Sequence, residues 1–473
     1  MDYERSITRL TPEQRAAVDL IKLNGDFLVK GNAGTGKTLV LLEALRKARE
    51  QSRMELELTT NELVLLTYTR TLAKYNRYIA AILDPQEVQN VISTADSYFL
   101  KILREARPGA SVRYDLMNTL CRELNTTGFL SDRQLAVEIE DFIFANGITE
   151  AEYIDERIAR KGLRTPLNNA QRTLVWEIRN RCIERMEQEN RFSRNYSRAV
   201  ILSRLEEHDD RQSGLHADFI FVDETQDLNS VELKILKRLA RRAVIMAGDL
   251  DQSIYGIVSP YIRSGLHVQG RTRQLVTNFR NTHPIHELAQ MYRLSERAAA
   301  EQDLSSAFRE GPVPELYASQ DDEELLELLG RKTDLFLRKL KFDPENVGIL
   351  VPSNGDVSAV ERALSGHGYE VVNIKKDGFG FEDTGKVRVS TIHSSKGLDF
   401  PVVLLYLPRA PRTSEYDEQA SETLRRSLIY VGMTRAMDNL SVFVRSDAGD
   451  PALRGLVRVY GAYVEGCGCA GCG

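Results

Sequence analysis

The chain has 473 residues, 42% of them hydrophobic and 28% charged, and this length predicts about three domains. The balance excludes a disordered or fibrous protein, and no apolar run reaches the ~20 residues of a membrane span. With 63 basic and 68 acidic residues the net charge is −5, so any contact with a polyanion requires a local basic patch. A polar N-terminus without a signal-peptide pattern, and five cysteines without a disulfide framework, predict a cytoplasmic location.

Short apolar strands alternate with helical patterns, which predicts α/β architecture with parallel sheets covered by helices. A first set of strands is predicted at residues 27–30, 63–67, 219–222 and 243–247. A second set is predicted at residues 347–351, 387–391, 402–406 and 440–444. Each set is long enough for one domain, so the sequence predicts two α/β domains in series.

The stretch 100–206 interrupts this alternation with helical spacing alone, which predicts a helical insertion into the first domain. The first domain is then divided into residues 1–99 and 207–282. The second is expected at residues 283–450, with a C-terminal tail at 451–473.

The segment Gly31–Thr38 reads G-x-x-x-x-G-K-T and stands between a predicted strand and a predicted helix. Glycines let the backbone turn tightly and point its N–H groups at phosphate oxygens, helped by the helix N-terminus. Lys37 is predicted to reach the β- and γ-phosphates, and the Thr38 hydroxyl to ligate Mg²⁺. The other predicted cradle residues are Gly31, Asn32, Ala33, Gly34, Thr35 and Gly36. A glycine-rich turn without a ligand is the alternative, and the flanking strand and helix argue against it.

A second motif follows the predicted strand at 219–222, where Asp223 and Glu224 stand at the carboxyl end. Doubly wound sheets bind their ligands at this edge. We predict that Asp223 holds the metal through water and that Glu224 orients or deprotonates the attacking water. The alternative is that these carboxylates cap the following helix.

Further motifs appear in a fixed order along the chain. They are LTPEQ at 10–14, LTYTR at 66–70, STADS at 93–97, AGDLDQSIYG at 247–256, TNFRN at 277–281, STIHSSKGLDF at 390–400 and YVGMTRA at 430–436. Their order and spacing resemble the superfamily 1 DNA helicases of the UvrD/Rep/PcrA kind from about residue 10 to residue 444. The resemblance implies two RecA-like P-loop domains in tandem and an enzyme that uses ATP and Mg²⁺ on DNA.

The resemblance also implies how the nucleotide is bound. Gln14 is expected to read the adenine edge, and Phe279, where the family usually has Tyr, to stack on the adenine ring. Asp399 stands where the family has Glu and is expected to contact the ribose through a shorter side chain.

Three further residues are expected by resemblance to act on the γ-phosphate. Gln252 is expected to sense it, and Arg280 and Arg435 to serve as arginine fingers. Charge spreads over the γ-phosphoryl oxygens in the transition state, where such an arginine contributes ~10³–10⁵ in rate. Because both arginines lie outside the P-loop domain core, hydrolysis is expected to require the two domains to close on ATP.

For single-stranded DNA, the family contacts map to five residues: Tyr68, Thr94, Asn278, Thr391 and His393. Tyr68 is expected to stack on a base, a contact that contributes ~1–3 kcal/mol whatever the base. For each residue taken alone, the alternative is a core aromatic or a loop polar group bonded within the protein.

The sequence departs from the family pattern at three places, and each departure removes or changes a part that is expected to contact DNA. The Trp expected after Gly256 is absent, since Ile257 stands there, and Asp96 replaces a His, so a carboxylate is expected to repel the phosphate backbone. The large second insertion of the family has no room in the second domain. We therefore expect robust ATP hydrolysis and weak or partner-dependent unwinding.

The stretch Arg157–Arg198 carries 11 Arg and Lys against 4 Glu and no Asp, with Trp176, Phe192 and Tyr196 interleaved. It either lines the DNA path, with salt-dependent affinity, or forms a solvated helix face whose Arg stems cover apolar surface. The last seven residues hold Cys467, Cys469 and Cys472. A structural metal site requires four ligands, so an exposed thiol tail is expected there.

Three functions stay open on the sequence alone. The first is an ATP-dependent single-stranded DNA translocase or helicase, 3′→5′ by resemblance, acting on single-stranded or tailed duplex DNA. The second is a nucleic-acid-responsive ATPase subunit of a repair or phage-defence complex, with a nuclease or repair partner. The third, a P-loop ATPase without a nucleic-acid role, is supported by the acidic pI and opposed by the late motifs. DNA and RNA are not distinguished by any residue.

Overall fold

The computed structural model describes ten stretches of the chain: 9–32, 34–54, 62–83, 91–156, 166–207, 215–248, 260–295, 306–410, 418–447 and 449–466. Within these stretches, no helix combines the length and apolar character that crossing a membrane requires. Ala33, Gln252, Ile257 and the three C-terminal cysteines lie outside them.

The chain opens with alternating helices and strands. These are α1 (Pro12–Leu20), β1 (Phe27–Gly31), α2 (Lys37–Met54), β2 (Leu63–Thr67), α3 (Arg70–Leu83), β3 (Ile92–Thr94) and α4 (Ala95–Ala106). Helix α1 begins with a capping box, in which Thr11 and Gln14 bond each other's backbone N–H and Pro12 occupies the first turn.

A mainly helical insertion follows. It contains β4 (Ser111–Val112), α5 (Leu116–Leu124), α6 (Asp132–Val137), a π-helical segment (Glu138–Phe144), α7 (Glu150–Ile154), α8 (Asn169–Glu189), β5 (Arg191–Phe192) and α9 (Arg194–Glu207). Its core holds Leu135, Tyr153 and Trp176 and is continuous with residues on one face of the first sheet.

The chain then returns to the first sheet through β6 (Ala217–Val222), a 3₁₀ turn (Thr225–Asp227), α10 (Ser230–Leu239), β7 (Ala240–Gly248), α11 (Pro260–Ser264) and β8 (Thr272–Leu275). The sheet has the order β3-β2-β6-β7-β1-β8, and every paired neighbour is parallel. Residues of its central strands are buried on both faces, as parallel sheets require. The carboxyl ends of β1 and β6 therefore meet at one edge.

The second half follows the same plan. Its elements are β9 (Thr277–Thr282), α12 (His283–Leu294), β10 (Ser306–Arg309), β11 (Glu315–Ser319), α13 (Asp322–Asp334), a π-helical segment (Leu335–Lys339), a 3₁₀ turn (Pro344–Asn346), β12 (Val347–Val351), α14 (Asn354–Gly366), β13 (Val371–Asn373), β14 (Val387–Thr391), β15 (Phe400–Leu407), α15 (Glu418–Met433), β16 (Ala436–Arg445) and α16 (Pro451–Gly466). A second parallel sheet has the order β11-β16-β15-β12-β14-β13. The predicted α/β class with two parallel sheets is confirmed.

The structure differs from the sequence prediction at two boundaries. Strand β9, placed at the end of the first domain, does not join the first sheet; it pairs with β10, and Asn281 donates to the Thr434 carbonyl beside β16 (3.1 Å). Residues 451–466, predicted as a tail, form helix α16, whose Leu453, Leu456 and Tyr463 are buried in the core. An apolar face at i, i+3 and i+10 drives this packing.

As predicted, no large insertion separates β13 from β14, which are joined by residues 374–386. One apolar cluster runs from the first sheet and its helices to the second, with Leu72 and Phe381 among its members. The two domains therefore share buried surface.

Candidate nucleotide-binding cleft

The P-loop turns from β1 into α2 in a way that requires glycine. Gly34 and Gly36 have φ of 87° and 77°, which favours residues without a Cβ, and a Cβ on Gly36 would lie 2.2 Å from Gln14 Nε2. Lys37 Nζ donates to the carbonyls of Gly31 (2.7 Å) and Asn32 (3.0 Å). The lysine thus folds over its own loop, where it lies beside the cradle that its motif predicts for phosphate.

Gln14 packs against this loop from α1. Its Nε2 donates to the Thr35 carbonyl (3.0 Å) and its Oε1 accepts from the Thr11 N–H (2.9 Å). The side chain is 4% exposed, so the structure ties α1 to the P-loop, and the adenine contact stays a prediction.

Asp223 lies where β6 ends, opposite the start of α2. Its Oδ2 accepts hydrogen bonds from Thr38 Oγ1 (3.0 Å) and from Asn76 Nδ2 (3.1 Å), which reaches in from α3. Burial, and then the neighbouring Glu224 charge, raise the pKa of Asp223 to about 6. A carboxylate and a hydroxyl facing each other are hard oxygen donors of the kind Mg²⁺ prefers, so Thr38 and Asp223 fit the predicted metal. Sequence reasoning missed Asn76, a buried polar residue on a helix whose other buried positions are mostly apolar.

Glu224 adopts a strained conformation directly after Asp223. Its φ of 52° and ψ of 48° are left-handed, a state that a non-glycine residue keeps only where its surroundings impose it. Burial raises the pKa of Glu224, but the Lys37 charge and a hydrogen bond from Gln226 outweigh it, so the pKa lies below its ordinary value. The carboxylate is therefore ionised and held within the cleft.

Arg280 enters the cleft from β9, paired with an acid of the second domain. Its Nε lies 2.7 Å from Asp399 Oδ2, and its backbone N–H donates to the Gly34 carbonyl (3.3 Å). Burial raises the pKa of Asp399 while the Arg280 charge opposes this. Asp399, which is predicted to contact the ribose, thus forms an ion pair with Arg280 in the structure.

Arg435 completes the cleft from the turn before β16. It is 4% exposed, and its guanidinium donates to the carbonyls of Val431 (3.0 Å) and Leu398 (3.3 Å). Burial, helped by the Arg280 charge, lowers its pKa to about 10, so the arginine stays charged at neutral pH. The cleft between the domains is lined by Gly34, Gly36, Lys37, Thr38, Glu224, Arg280, Gly397 and Arg435.

Phe279 and Asn278 precede Arg280 on β9, and both lie against the P-loop. The Phe279 N–H donates to the Gly34 carbonyl (3.2 Å). Asn278 is fully buried, with Nδ2 donating to Asn281 Oδ1 (2.7 Å), so it offers no open surface to DNA in this arrangement. The DNA contact at Asn278 stays a prediction.

The other residues predicted to contact nucleic acid are spread over both domains. Thr94 caps helix α4 by accepting from the Ser97 N–H (3.2 Å) and is 8% exposed, and its contact with DNA stays a prediction. Tyr68 is half-buried after β2, and Thr391 bonds the Ser394 N–H (3.2 Å) after β14. His393 is exposed; desolvation of its ring by neighbouring protein atoms, and then nearby lysine charges, lower its pKa, so its imidazole is neutral at pH 7.

The expected repulsion at Asp96 is corrected by the structure. Asp96 pairs with Arg194 (3.2 Å) and Arg198, and Tyr114 donates to it (3.1 Å). Both arginines also pair with the fully buried Glu232. The carboxylate is thus neutralised inside the protein.

In the described part of the basic stretch, from residue 166, several arginines cover apolar surface or bond protein groups, as the second interpretation expects of their stems. Arg198 is 2% exposed, Arg172 donates to the Tyr153 carbonyl (2.8 Å), and Arg179 lies 4.3 Å from the Trp176 ring centre. Arg185 is exposed but paired with Glu189. Arg194 and Arg198 pair with Asp96 and Glu232 of the first domain, so much of the positive charge is used within the protein. Residues 157–165 lie outside the described ranges.

The fold and this cleft define a P-loop protein with two parallel-sheet domains facing one site. The sequence matches the model of the UvrD/REP helicase N-terminal domain over residues 10–259 and that of the UvrD-like helicase C-terminal domain over residues 375–446. The chain therefore belongs to the UvrD/REP helicase family.

Two curated relatives agree with this assignment. YjcD of Bacillus subtilis, which carries the name of an ATP-dependent DNA helicase, is 26% identical over 345 residues, 67% of this chain and 43% of its own. The ATP-dependent DNA helicase UvrD1 of Mycobacterium tuberculosis is 32% identical over 154 residues, 31% of this chain and 20% of its own. The chain thus spans less than half the length of these relatives.

Proposed function

We propose that the chain is an ATP-dependent single-stranded DNA translocase or helicase that moves 3′→5′. The observation that carries the proposal is the composition of the cleft. Lys37 and Glu224 come from the first domain, Arg280 and Arg435 from the second half of the chain, and all four line one space. Family membership supplies the expectation that closing this cleft on ATP moves the chain along DNA.

In this proposal each cleft residue has one task. The P-loop N–H groups and Lys37 bind the β- and γ-phosphates after Lys37 leaves the carbonyls that it contacts now. Thr38 and Asp223 hold Mg²⁺, which neutralises phosphate charge. Glu224, ionised and half-buried in the cleft, orients the attacking water, and Arg435 stabilises the charge that develops on the γ-phosphoryl oxygens.

The nucleic acid would run along the carboxyl edges of the two sheets. Tyr68 follows β2 of the first sheet, Thr391 is the last residue of β14 of the second, and His393 follows that strand. A half-buried tyrosine and a neutral imidazole suit stacking and hydrogen bonding that do not depend on the base. ATP and DNA as substrates fit the cytoplasmic location that the sequence predicts.

Steady-state ATP hydrolysis with and without a single-stranded DNA oligonucleotide tests this function. We expect stimulation by DNA and loss of turnover in Glu224→Gln. The matched control is Glu206→Gln, an exposed carboxylate paired with Lys234 outside the cleft. A Glu224→Gln variant that hydrolyses ATP like the control would refute the site, and an RNA oligonucleotide run in parallel decides between the two nucleic acids.

The second candidate is a nucleic-acid-responsive ATPase subunit that works with a nuclease or repair partner and unwinds little by itself. The short 374–386 connection favours it, because the family places a large insertion at this point. A strand-displacement assay on a tailed duplex separates the two candidates. Processive unwinding by the isolated chain favours the helicase, whereas DNA-stimulated hydrolysis without displacement favours the subunit.

A further inference from the structure

The 374–386 connection carries two phenylalanines that contact the other domain. Residues 375–378 are exposed, yet Phe379 and Phe381 are each 5% exposed. Phe381 packs against Tyr75 of α3, with ring centres 5.1 Å apart in an edge-on arrangement. Tyr78 of the same helix lies 6.2 Å from Phe381. Two aromatic side chains of the second domain are thus buried against a helix of the first.

Polar contacts hold the same connection on α3. Lys74 Nζ donates to the carbonyls of Lys376 (2.7 Å) and Asp377 (3.3 Å), and Arg70 lies 3.7 Å from the Asp377 carboxylate. Lysine capping of two successive carbonyls fixes the backbone of the connection as well as its side chains. The contact between the connection and α3 therefore combines apolar packing with hydrogen bonds that fix its geometry.

The connection is also anchored in its own domain. Arg388 of β14 stacks on the rings of Phe379 (5.7 Å) and Phe381 (5.2 Å), and its Nη2 donates to the Phe381 carbonyl (2.8 Å). Because Arg388 lies within the second sheet, movement of the aromatic pair is coupled to movement of that sheet.

The contact is linked to the nucleotide cleft by helix α3 in the first domain and by the loop after β14 in the second. Helix α3 carries Tyr75 on one face and, one residue later, Asn76, whose amide bonds Asp223. The loop after β14 reaches Gly397, which lines the cleft and lies so close to Leu72 of α3 that a Cβ would stand 2.5 Å from it. Helix α3 thus contacts the connection, the metal-side carboxylate and the cleft loop.

We propose that Phe379, Phe381 and Tyr75 form an interdomain latch and act as positioning residues for ATP hydrolysis. The latch sets the separation of the two sheets, and with it the distance of Arg435 from the nucleotide on Lys37. Aromatic side chains that bury a large area at the centre of a contact dominate the stability of that contact. The packing of the two phenylalanines against Tyr75 therefore controls how often the cleft is closed. The proposal rests on the role proposed above for Arg435.

Phe381→Ala tests the latch, with Phe342→Ala as the matched control, because Phe342 packs on Phe336 within the second domain. We expect kcat to fall about tenfold in Phe381→Ala and less than twofold in the control. The affinity for fluorescent ADP should change less than twofold, since ADP has no γ-phosphate for Arg435 to contact. Phe381→Leu, which keeps apolar burial, should recover most of the turnover.

Lys74→Ala provides a second variant with little risk to folding, and we expect its kcat to fall about threefold by loss of the carbonyl contacts. Turnover within twofold of the control in both variants would overturn the latch, as would a parallel loss of ADP affinity. Arg435→Ala distinguishes failure of the proposed function from failure of the latch alone. If Arg435→Ala keeps normal turnover, the proposed function fails; if it loses turnover while the latch variants do not, the latch alone fails.

Discussion

Lys396 Nζ lies 3.0 Å from Asp227 Oδ1, and this ion pair joins the two domains beside the cleft. The side chains are 12% and 2% exposed. Burial lowers the pKa of Lys396, but the Asp227 charge outweighs it and raises the pKa above its ordinary value, so the lysine is charged. A buried pair of this kind contributes little net stability when intact but is costly to break, because one charge remains without its partner.

Lys396→Met should therefore lower the free energy of unfolding by about 3–5 kcal/mol, measured by urea denaturation. Lys386→Met is the control, since Lys386 is 46% exposed in a surface pair with Glu370 and should change stability by less than about 1 kcal/mol. Adding Asp227→Leu to Lys396→Met should recover part of the loss. Equal stability of the two lysine variants would contradict the prediction.

Glu140 gives the insertion a pH-dependent stability. It is half-buried, and the desolvation of its carboxylate raises its pKa to about 7, although hydrogen bonds from the Asn195 N–H (2.7 Å) and Ser193 Oγ (2.7 Å) oppose the rise. The folded protein then binds more protons than the unfolded chain between pH 4.5 and pH 7. Stability from this group is present below pH 4.5 and is lost as the pH rises through about 7.

Glu140→Gln should accordingly reduce the fall in melting temperature between pH 5 and pH 8. The amide carries no charge to bury; its oxygen can accept from the Asn195 N–H, and its NH2 can donate to Ser193 Oγ, which then accepts instead of donating. Glu123→Gln, at an exposed position of α5, serves as the control and should melt like the original protein at each pH. The same fall in melting temperature in Glu140→Gln and in the control would show that another group is responsible.

Asp96→His restores the family residue, and we expect it to weaken the fold. It would place an imidazole between Arg194 and Arg198 and remove the carboxylate that both arginines contact. The expected loss is about 1–3 kcal/mol in the free energy of unfolding, with no gain in DNA affinity. Asp155→His, at an exposed position after α7, is the control. Tighter DNA binding at unchanged stability would show that Asp96 faces the nucleic acid.

Of the predicted site residues that line the cleft, those of the P-loop belong to a local pattern. The P-loop needs only a strand, a glycine turn and a helix, so Lys37 and Thr38 follow from eight consecutive residues. The contact between Thr38 and Asp223 joins positions 185 residues apart, and it was predictable because parallel strands bring their carboxyl ends together.

The contacts that sequence reasoning missed carry no local signal. Asp399 bonds Arg280 because β9 packs beside the second sheet, and Phe381 is an ordinary apolar residue in the sequence, with nothing to show that α3 lies beside it. Asp96 looks like an uncompensated acid, since its partner Arg198 is 102 residues away in a stretch whose charge suggested DNA. In each case the partner is chosen by tertiary packing, which composition and spacing do not encode.

Asn76 provides the last prediction, because its Nδ2 is 3.1 Å from Asp223 Oδ2 and fixes that carboxylate toward Thr38. Asn76→Ala should raise the Mg²⁺ concentration for half-maximal ATP hydrolysis about tenfold, as loss of a partner that orients a metal ligand does. Turnover at saturating Mg²⁺ should stay within about threefold, because Asn76 contacts neither phosphate nor water in this role. Asn180→Ala, next to Arg179 on α8, is the control. An unchanged Mg²⁺ requirement would assign Asn76 to packing alone, and a loss of turnover that Mg²⁺ does not restore would point to a role in closing the cleft.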